Sequence, residues 1–152
     1  TEIVQNSSKI LNLQIDEQSA LEIAKRSRGT PRIANRLLRR IRDYIQVKNK
    51  KKIDLSSINE SLEIEGVDSL GLDRLDRSYI KILAENFRGG PVGIEAITAS
   101  LNEDQLTLID VVEPFLLKIG FLLRTAQGRK LTNIAYEQIG KSPPMNHQNE
   151  LI

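Results

Sequence analysis

Residues 27–42 read Ser-Arg-Gly-Thr-Pro-Arg-Ile-Ala-Asn-Arg-Leu-Leu-Arg-Arg-Ile-Arg, and this stretch decides the fold of the first half of the chain. Gly29 suits the end of a preceding helix, Thr30 the cap of the next one, and Pro31 its first position. Apolar residues then recur every four positions, at Ile33, Leu37, Ile41 and Ile45. The run therefore predicts an amphipathic helix over residues 31–47.

The same stretch is strongly basic, with seven arginines and no acid between Arg26 and Arg42. Arg32 falls in the first helical turn, where the helix dipole makes a cation mildly unfavourable. An anion shared between the helix N-terminus and the guanidinium would reverse that effect, so the pattern indicates an anion site at Arg32. For the later arginines, a solvated bundle surface or a partner interface is favoured; these are Arg36, Arg39, Arg40 and Arg42.

Three further helices surround this one. The first is expected over residues 2–11, the second over 17–26 with Asp16 as its cap, and the last from Asp54 or Ser56 to Gly66. Their predicted inward residues are Ile3, Val4, Ile10, Leu11, Ala20, Leu21, Ala24, Leu55, Ile58 and Leu62. Residues 1–66 therefore form a small four-helix bundle.

The second half has a different order of elements. Residues 67–72 lack helical periodicity and are interpreted as a hinge, followed by a helix from Asp73 and a Gly-Gly-Pro-Val-Gly turn with a short strand at 89–93. A helix over 94–101, a helix capped by Asn102 and kinked at Pro114, a hairpin over 121–131 and a last helix capped by Thr132 follow. That order predicts a winged-helix domain over residues 67–140. Residues 141–152 are expected to be a disordered tail.

Charge is segregated in this second half, although its total is nearly neutral. Between Pro114 and Tyr136 there is no acid, whereas Arg124, Arg129 and Lys130 lie on the predicted hairpin. This favours nucleic-acid contact over the alternative of a protein-binding winged helix. Because no aromatic residue lies at the hairpin tip, phosphate or minor-groove contact is favoured over base stacking.

Several kinds of chemistry are disfavoured by the sequence. The chain of 152 residues has no cysteine, and its single histidine, His147, lies in the tail. Asp110 and Glu113 share a helix face but are interpreted as ordinary exposed acids. The Gly66–Gly71 spacing imitates a phosphate loop, yet Leu72 stands where lysine is required. We therefore predict no catalytic residue and no metal site, and the lack of cysteine and of apolar runs fits a cytoplasmic protein without a membrane span.

Residues 27–40 resemble the signature of the RuvB family, bacterial Holliday-junction branch-migration motors. Three other runs also resemble it, in the same order along the chain: 71–77, 89–93 and 113–122. The family consists of AAA+ ATPases that form hexameric rings around duplex DNA, each subunit having an ATPase domain, a helical lid and a winged helix. The resemblance implies a mainly α fold, namely a lid at 1–66 followed by a winged helix with a hairpin wing, and a chain that is a fragment of a longer protein.

The resemblance also implies roles for individual residues. Arg32 corresponds to the family's sensor arginine that reaches the nucleotide phosphates, and Pro31 lies on the adenine side. Arg124 and Arg129 correspond to wing arginines that contact DNA, and Lys130 extends the same patch. Two departures remove positive charge from the family pattern, at Gln105 and Gln127.

Cofactors and partners are implied in the same way. ATP and Mg²⁺ would be bound by the family's ATPase domain, so this fragment alone should be inactive. The implied partners are duplex DNA at Holliday junctions, RuvA, RuvC and further copies in a homo-hexamer, in recombination, repair and the SOS response.

Two alternatives remain open at this stage. A stand-alone winged-helix regulator would need base-reading side chains on the helix after Asn102, which offers acids and amides but only Lys118 as a cation. The lid and winged helix of another AAA+ protein, such as a replication initiator, would share Arg32 and the wing but not the whole 29–40 run.

Overall fold

The computed structural model describes residues 2–49 and 53–145. The chain divides into two compact units between Arg74 and Leu75. In the described residues no helix is both long enough and apolar enough to cross a membrane. The predicted fold class, a helical bundle followed by helices and a small β-hairpin, is confirmed. The tail predicted at 141–152 lies, from residue 146 onward, outside the described residues.

Unit 1 contains four α-helices: α1 (Glu2–Ile10), α2 (Glu17–Arg26), α3 (Pro31–Val47) and α4 (Leu55–Ile64). As the four-residue spacing predicted, α3 buries its apolar stripe. Its side chains Ala34, Leu37, Leu38 and Ile41 are at most 1% exposed. They pack with Ile58 and Leu62 of α4 in one core cluster.

The faces of the shorter helices differ from those predicted. Ile3, Ile10 and Leu21 are exposed, whereas α1 buries Val4 together with two serines, and α2 buries Ile23. Leu55, predicted inward, is also exposed. A helix of about ten residues can have apolar side chains on more than one face. In α1 and α2, packing against α3 decides which face is buried, and side-chain polarity alone does not.

Two of the predicted N-caps in unit 1 form side-chain hydrogen bonds, and a third does not. The carboxylates of Asp16 and Asp54 accept the backbone N–H groups of Ser19 and Ser57, at 2.7 and 2.8 Å. Thr30 occupies the N-cap position of α3, but its side chain makes no capping hydrogen bond. The expected Thr30 cap is therefore wrong in its chemistry, and the turn before α3 relies instead on positive φ angles at Arg28 and Gly29.

The segment interpreted as a hinge is packed against unit 1. Val67 and Leu72 are 6% and 3% exposed. The Asp68 carboxylate accepts the Leu72 N–H at 2.9 Å, and Arg28 Nε donates to the Gly71 carbonyl at 3.0 Å. The Arg28 guanidinium also pairs with Asp73. These bonds fix residues 67–73 to the α2–α3 turn.

Unit 2 begins with α5 (Arg74–Asn86) and α6 (Ile94–Leu101), and continues with a short α7 (Gln105–Thr107). A π-helical turn at Leu108–Val112 leads into α8 (Glu113–Lys118). Strands β1 (Leu122–Thr125) and β2 (Gly128–Leu131) then form an antiparallel hairpin, and α9 (Asn133–Gln138) follows. Thr132 caps α9 as predicted, its hydroxyl accepting the Ala135 N–H.

The helix around Pro114 is divided, and its first cap is not the predicted one. Pro114 cannot donate to the helical ladder, and the preceding turn widens so that the Glu113 N–H reaches the Leu108 carbonyl. Asn102, expected to cap this helix, is instead the left-handed residue that ends α6. Asp104 is the true cap, accepting the Thr107 N–H at 3.0 Å.

The Gly-Gly-Pro turn is held against β2. Val92 forms a single antiparallel bridge with Arg129, and the Leu131 N–H donates to the Gly89 carbonyl at 2.8 Å. Gly90 has a φ of +85°, and a Cβ there would lie 2.1 Å from the Arg129 carbonyl oxygen. Glycine is therefore required at this position both by backbone conformation and by close approach.

Replacing Gly90 with alanine is expected to destabilise unit 2 by more than about 2 kcal/mol, because a clash adds to the strain of positive φ. Gly140→Ala is the matched control: its φ is +67° and nothing lies near its Cβ, so it should lose only about 1 kcal/mol. Hydrogen exchange at the β2 amides measures both. Equal losses would contradict the close approach.

Candidate nucleic-acid interface

The centre of this interface is the Glu113 side chain at the start of α8, which is fully buried. Tyr79 Oη donates to its Oε1 at 2.7 Å. Arg129 Nε donates to the same oxygen at 2.9 Å, and Arg124 Nε donates to Oε2 at 3.0 Å. A second nitrogen, Nη2, of each arginine also reaches Glu113. One carboxylate thus binds a phenol and two guanidiniums.

The donors come from three elements that the fold brings together. Tyr79 lies on the buried face of α5, while Arg124 and Arg129 are directly opposite each other in the β1–β2 register. Two like charges facing each other across a hairpin repel. The Glu113 carboxylate beneath them offsets that repulsion and fixes both side chains on one face of the hairpin.

Electrostatics keeps this carboxylate ionised. Burial alone would raise the pKa of Glu113, but the hydrogen bonds from Arg129, Tyr79 and Arg124 together outweigh it and hold the pKa below its usual value. Burial and the bond to Glu113 raise the pKa of Tyr79. The cluster therefore carries two positive charges against one negative charge.

The wing arginines are only partly exposed. The Arg124 side chain is 47% exposed and that of Arg129 is 19% exposed. Among the described residues no acceptor is recorded for Nη1 of either guanidinium. Each guanidinium is thus held at Nε and Nη2 by Glu113 and retains further N–H donors for an external anion.

This arrangement corrects two statements made from the sequence. Glu113 is not an exposed acid, and the hairpin arginines do have an acidic neighbour. The acid-free run begins at Pro114, one residue after Glu113, so linear spacing concealed the contact. The sequence alone contains no feature that predicts contact between Glu113 and the arginines eleven and sixteen positions later. The contact becomes apparent only when the register of the hairpin is known.

Lys130 lies on the other face of the hairpin. It pairs with Leu123 in the register, and successive strand residues point to opposite faces. Its side chain is exposed. The three basic residues predicted at the hairpin therefore do not form one patch: Arg124 and Arg129 share a face, and Lys130 is on the reverse side.

Pro31 and Arg32 form the first turn of α3 in unit 1, and both are exposed. Within residues 2–49 and 53–145, no hydrogen bond or ion pair is recorded for the Arg32 side chain. Because Thr30 makes no capping bond, the backbone N–H groups of this first turn have no side-chain acceptor. They point out of the N-terminal end of the helix, along its axis. This is the geometry in which a helix start accepts an anion.

The other arginines of the basic stretch are mostly engaged in unit 1. Arg26 is buried, donating to Glu22 and Asn59, and Arg28 binds the segment at 71–73. Arg40 pairs with Glu65 and Arg42 with Asp43. Arg36 and Arg39 are exposed on α3.

Among the described residues, no group of side chains is arranged for metal binding or for acid–base catalysis. No group of three or more His, Asp or Glu side chains is placed to hold a metal ion there. Asp110 is exposed while Glu113 is buried under two arginines, so the two carboxylates do not form a pair.

Comparison with known proteins gives two adjoining family matches. The family model of the RuvB AAA lid domain matches residues 1–68, and that of the RuvB C-terminal winged helix domain matches residues 69–140. The Holliday junction branch migration complex subunit RuvB of Desulfosudis oleivorans is 54% identical over 138 residues, which cover 91% of this chain.

Solved structures agree with the sequence matches. The Thermotoga maritima RuvB Holliday junction branch migration motor superposes with a TM-score of 0.89 at 42% identity over 94% of this chain. A point mutant of the same Thermotoga protein gives the same values. The chain covers 40% of the Desulfosudis relative and 48% of the Thermotoga structure, so it spans about half the length of its relatives.

Replacing Glu113 with glutamine is expected to destabilise unit 2 by about 3 kcal/mol, because two guanidiniums lose their buried counter-charge. Hydrogen exchange at the hairpin amides measures the loss. Glu137→Gln, which removes an exposed carboxylate of the same unit, should change stability by less than about 0.5 kcal/mol.

The stabilisation should also depend on pH. Since the folded-state pKa of Glu113 lies below its usual value of 4.5, its contribution is complete well above that pH and is lost as pH falls through the folded pKa. The difference between wild type and Glu113→Gln should therefore shrink below pH 4.5. A difference that stays constant down to about pH 2 would contradict the assigned ionisation.

Proposed function

The chain belongs to the RuvB family, and from that premise we propose that it is the C-terminal portion of an ATP-driven DNA translocase that moves Holliday junctions. The paired matches to a RuvB lid and a RuvB winged helix carry this proposal. In it, unit 1 senses nucleotide and unit 2 contacts duplex DNA. The functional domains proposed are a lid over 1–66 and a winged helix over 67–140.

In the lid, Arg32 is proposed to bind the nucleotide phosphates and Pro31 to lie beside the adenine. An exposed guanidinium beside uncapped N–H groups at a helix start supports this role. The helix behind it is anchored by Leu37, Leu38 and Ile41, all fully or almost fully buried. A change at the phosphate would therefore move the lid as a body rather than bend α3.

The exposed arginines farther along α3 have a different proposed role. Arg36 and Arg39 lie four and seven residues after Arg32, so they share its face of the helix. We assign them to contacts with a neighbouring subunit in a homo-hexamer. Arg40 and Arg42 are already paired within unit 1 and are proposed to stabilise the lid surface.

In the winged helix, Arg124, Arg129 and Lys130 are proposed to contact the DNA backbone. The support is the Glu113 cluster, which holds two guanidiniums on one hairpin face through Nε and Nη2 and leaves Nη1 of each without an acceptor among the described residues. Phosphate contacts supply affinity without sequence information, as branch migration on any sequence requires. Gln105 and Gln127 carry no charge where the family pattern has arginine, so duplex binding should be weak.

Other parts of the proposal concern the intact protein. ATP and Mg²⁺ would be bound outside these 152 residues, which contain no phosphate-loop motif. No ATP hydrolysis is therefore expected from the chain alone. RuvA, RuvC and the Holliday junction are the proposed partners, and the cytoplasm is the proposed compartment.

Wild-type chain should bind duplexes of unrelated sequence equally, with log K falling by about 0.9 per phosphate contact as log salt rises. Arg124→Ala should lower that slope by about one contact, while Arg129 still pairs with Glu113 and preserves the fold. Fluorescence anisotropy over a salt series measures the slope. Lys81→Ala, an exposed cation on α5, is the control and should keep the wild-type slope.

Strong preference for one duplex sequence would favour the stand-alone regulator instead. An unchanged slope in Arg124→Ala, with an unchanged melting temperature, would remove the wing from the DNA interface.

Replacing Arg32 with alanine in the intact protein that carries this segment should lower steady-state ATP hydrolysis by roughly 10²-fold, because a preorganised phosphate contact is lost. Arg42→Ala, on the same helix and paired with its sequence neighbour Asp43, is the control. Nucleotide-binding measurements on both variants separate binding from hydrolysis. If the two variants hydrolyse ATP alike, Arg32 is not the sensor.

A further inference from the structure

A cavity of about 500 Å³ lies beside the hairpin and is lined in part by Lys130, whose side chain is on the opposite face from Arg124 and Arg129. It is entirely within unit 2, between the hairpin, the Gly-Gly-Pro turn and α9. Its polar lining comes from Arg88, Thr125, Gln127, Lys130, Asn133 and Tyr136. We call it the hairpin cavity.

The charge of this cavity is wholly positive in the described part of the chain. Arg88 and Lys130 line it, and no acidic side chain does. Both cations are exposed, and neither has an ion pair or hydrogen bond recorded with a described residue. This contrasts with Arg124 and Arg129, whose charges are partly compensated by Glu113. Arg88 and Lys130 therefore give this cavity positive charge that no described carboxylate pairs with.

Both cations are held by regular backbone contacts. Lys130 is in β2, opposite Leu123. Arg88 has a φ of +51° and is bracketed by two hydrogen bonds, from the Gly89 N–H to the Leu83 carbonyl at 2.7 Å and from the Gly90 N–H to the Phe87 carbonyl at 2.9 Å. The bases of these side chains are thus fixed, and an anion between them would not need to order the backbone.

Tyr136 forms one wall and carries an unsatisfied group. Its side chain is nearly buried, and its hydroxyl has no hydrogen-bond partner among the described residues. A buried hydroxyl without a partner is uncommon and costs free energy. The hydroxyl packs over Gly89, where a Cβ would lie 2.2 Å from it. The hydroxyl itself is closed to solvent, so Tyr136 supplies a wall of the cavity and not a donor that a bound anion reaches.

We propose that the hairpin cavity binds a phosphate group shared by Arg88 and Lys130, and that a backbone phosphate of duplex DNA is its source. The volume lies in the roughly 300–1,000 Å³ range of small-ligand sites and exceeds one phosphate, which fits a phosphate with its attached sugars. The choice of DNA as the source rests on the proposed function. The binding of phosphate by the cavity rests only on its own residues.

The DNA arm of the test uses the 152-residue chain with Arg88→Gln, Lys130→Gln and the double variant. Each single change should weaken duplex binding about threefold and lower the salt slope by up to about 0.9. Because one phosphate is shared, the double variant should lose no more slope than about 0.9. Lys81→Gln is the matched control of equal charge change, and melting temperatures report folding.

The second arm titrates inorganic phosphate and follows backbone amide NMR shifts. Shifts at residues 88–90 and 130–131, lost in the double variant and kept in Lys81→Gln, are expected. Wild-type chain that binds phosphate in this way but no duplex would reject the proposed function and leave the cavity a phosphate site.

Three outcomes overturn the cavity assignment and leave the proposed DNA contacts of Arg124 and Arg129 untouched. One is duplex binding by the double variant equal to that of Lys81→Gln. Another is a slope loss in the double variant near about 1.8, which would mean two independent phosphates. The third is the absence of amide shifts near the cavity with inorganic phosphate.

Discussion

The ion cluster at Glu113 is the constraint on which the geometry of unit 2 depends. A buried carboxylate costs several kcal/mol unless it is fully paired, and pairing requires its donors to arrive together. Here they arrive from α5, β1 and β2, so the carboxylate can be accommodated only when the hairpin has its observed register and lies against α8. The cluster therefore adds little to the net free energy of unfolding, but it selects one strand register and one position of the hairpin against α8. Moving either strand by one residue would turn Arg124 or Arg129 to the opposite face and leave the carboxylate underpaired.

The same cluster changes how the positive charge of the hairpin should be counted. Counting basic residues would treat Arg124, Arg129 and Lys130 as equal contributors to an anion surface. In the structure, Arg124 and Arg129 share the buried negative charge of Glu113. The shared carboxylate orients both guanidiniums, and it also cancels part of their positive charge. Lys130 is exposed and uncompensated by the described residues, on the reverse face with Arg88. One face of the hairpin therefore carries two oriented guanidiniums, and the other carries a cation whose charge is not paired by the described residues. A duplex that contacted both faces would meet fixed hydrogen-bond donors on one and unpaired positive charge on the other.

Local patterns predicted much of the fold and little of this chemistry. The four-residue spacing of α3, the Asp16 cap and the positions of the hairpin are short-range features, and the structure confirms them. The buried face of α1 and the exposure of Leu21 depend on what α3 presents to them, which no local window contains. Glu113 illustrates the limit more sharply. As one acid among several on a helix it looks solvent-exposed, and only the pairing of two strands that follow it shows that it neutralises arginines elsewhere.

Arg28 shows that a similar long-range contact governs unit 1. It is one of seven arginines in a basic run, yet its guanidinium binds the Gly71 carbonyl and Asp73, which lie beyond the bundle helices in the sequence. Arg28 lies four residues before Arg32, in the turn that sets the start of α3. The turn beside the proposed phosphate sensor and the segment by which the chain leaves unit 1 are therefore joined by one side chain. Glycines and missing periodicity suggested a hinge at 67–72, but the hydrogen bonds hold that segment within unit 1. A displacement of the α3 N-terminus must consequently carry residues 71–73 with it or break the Arg28 contacts, and this is a mechanical coupling that the basic run alone could not reveal.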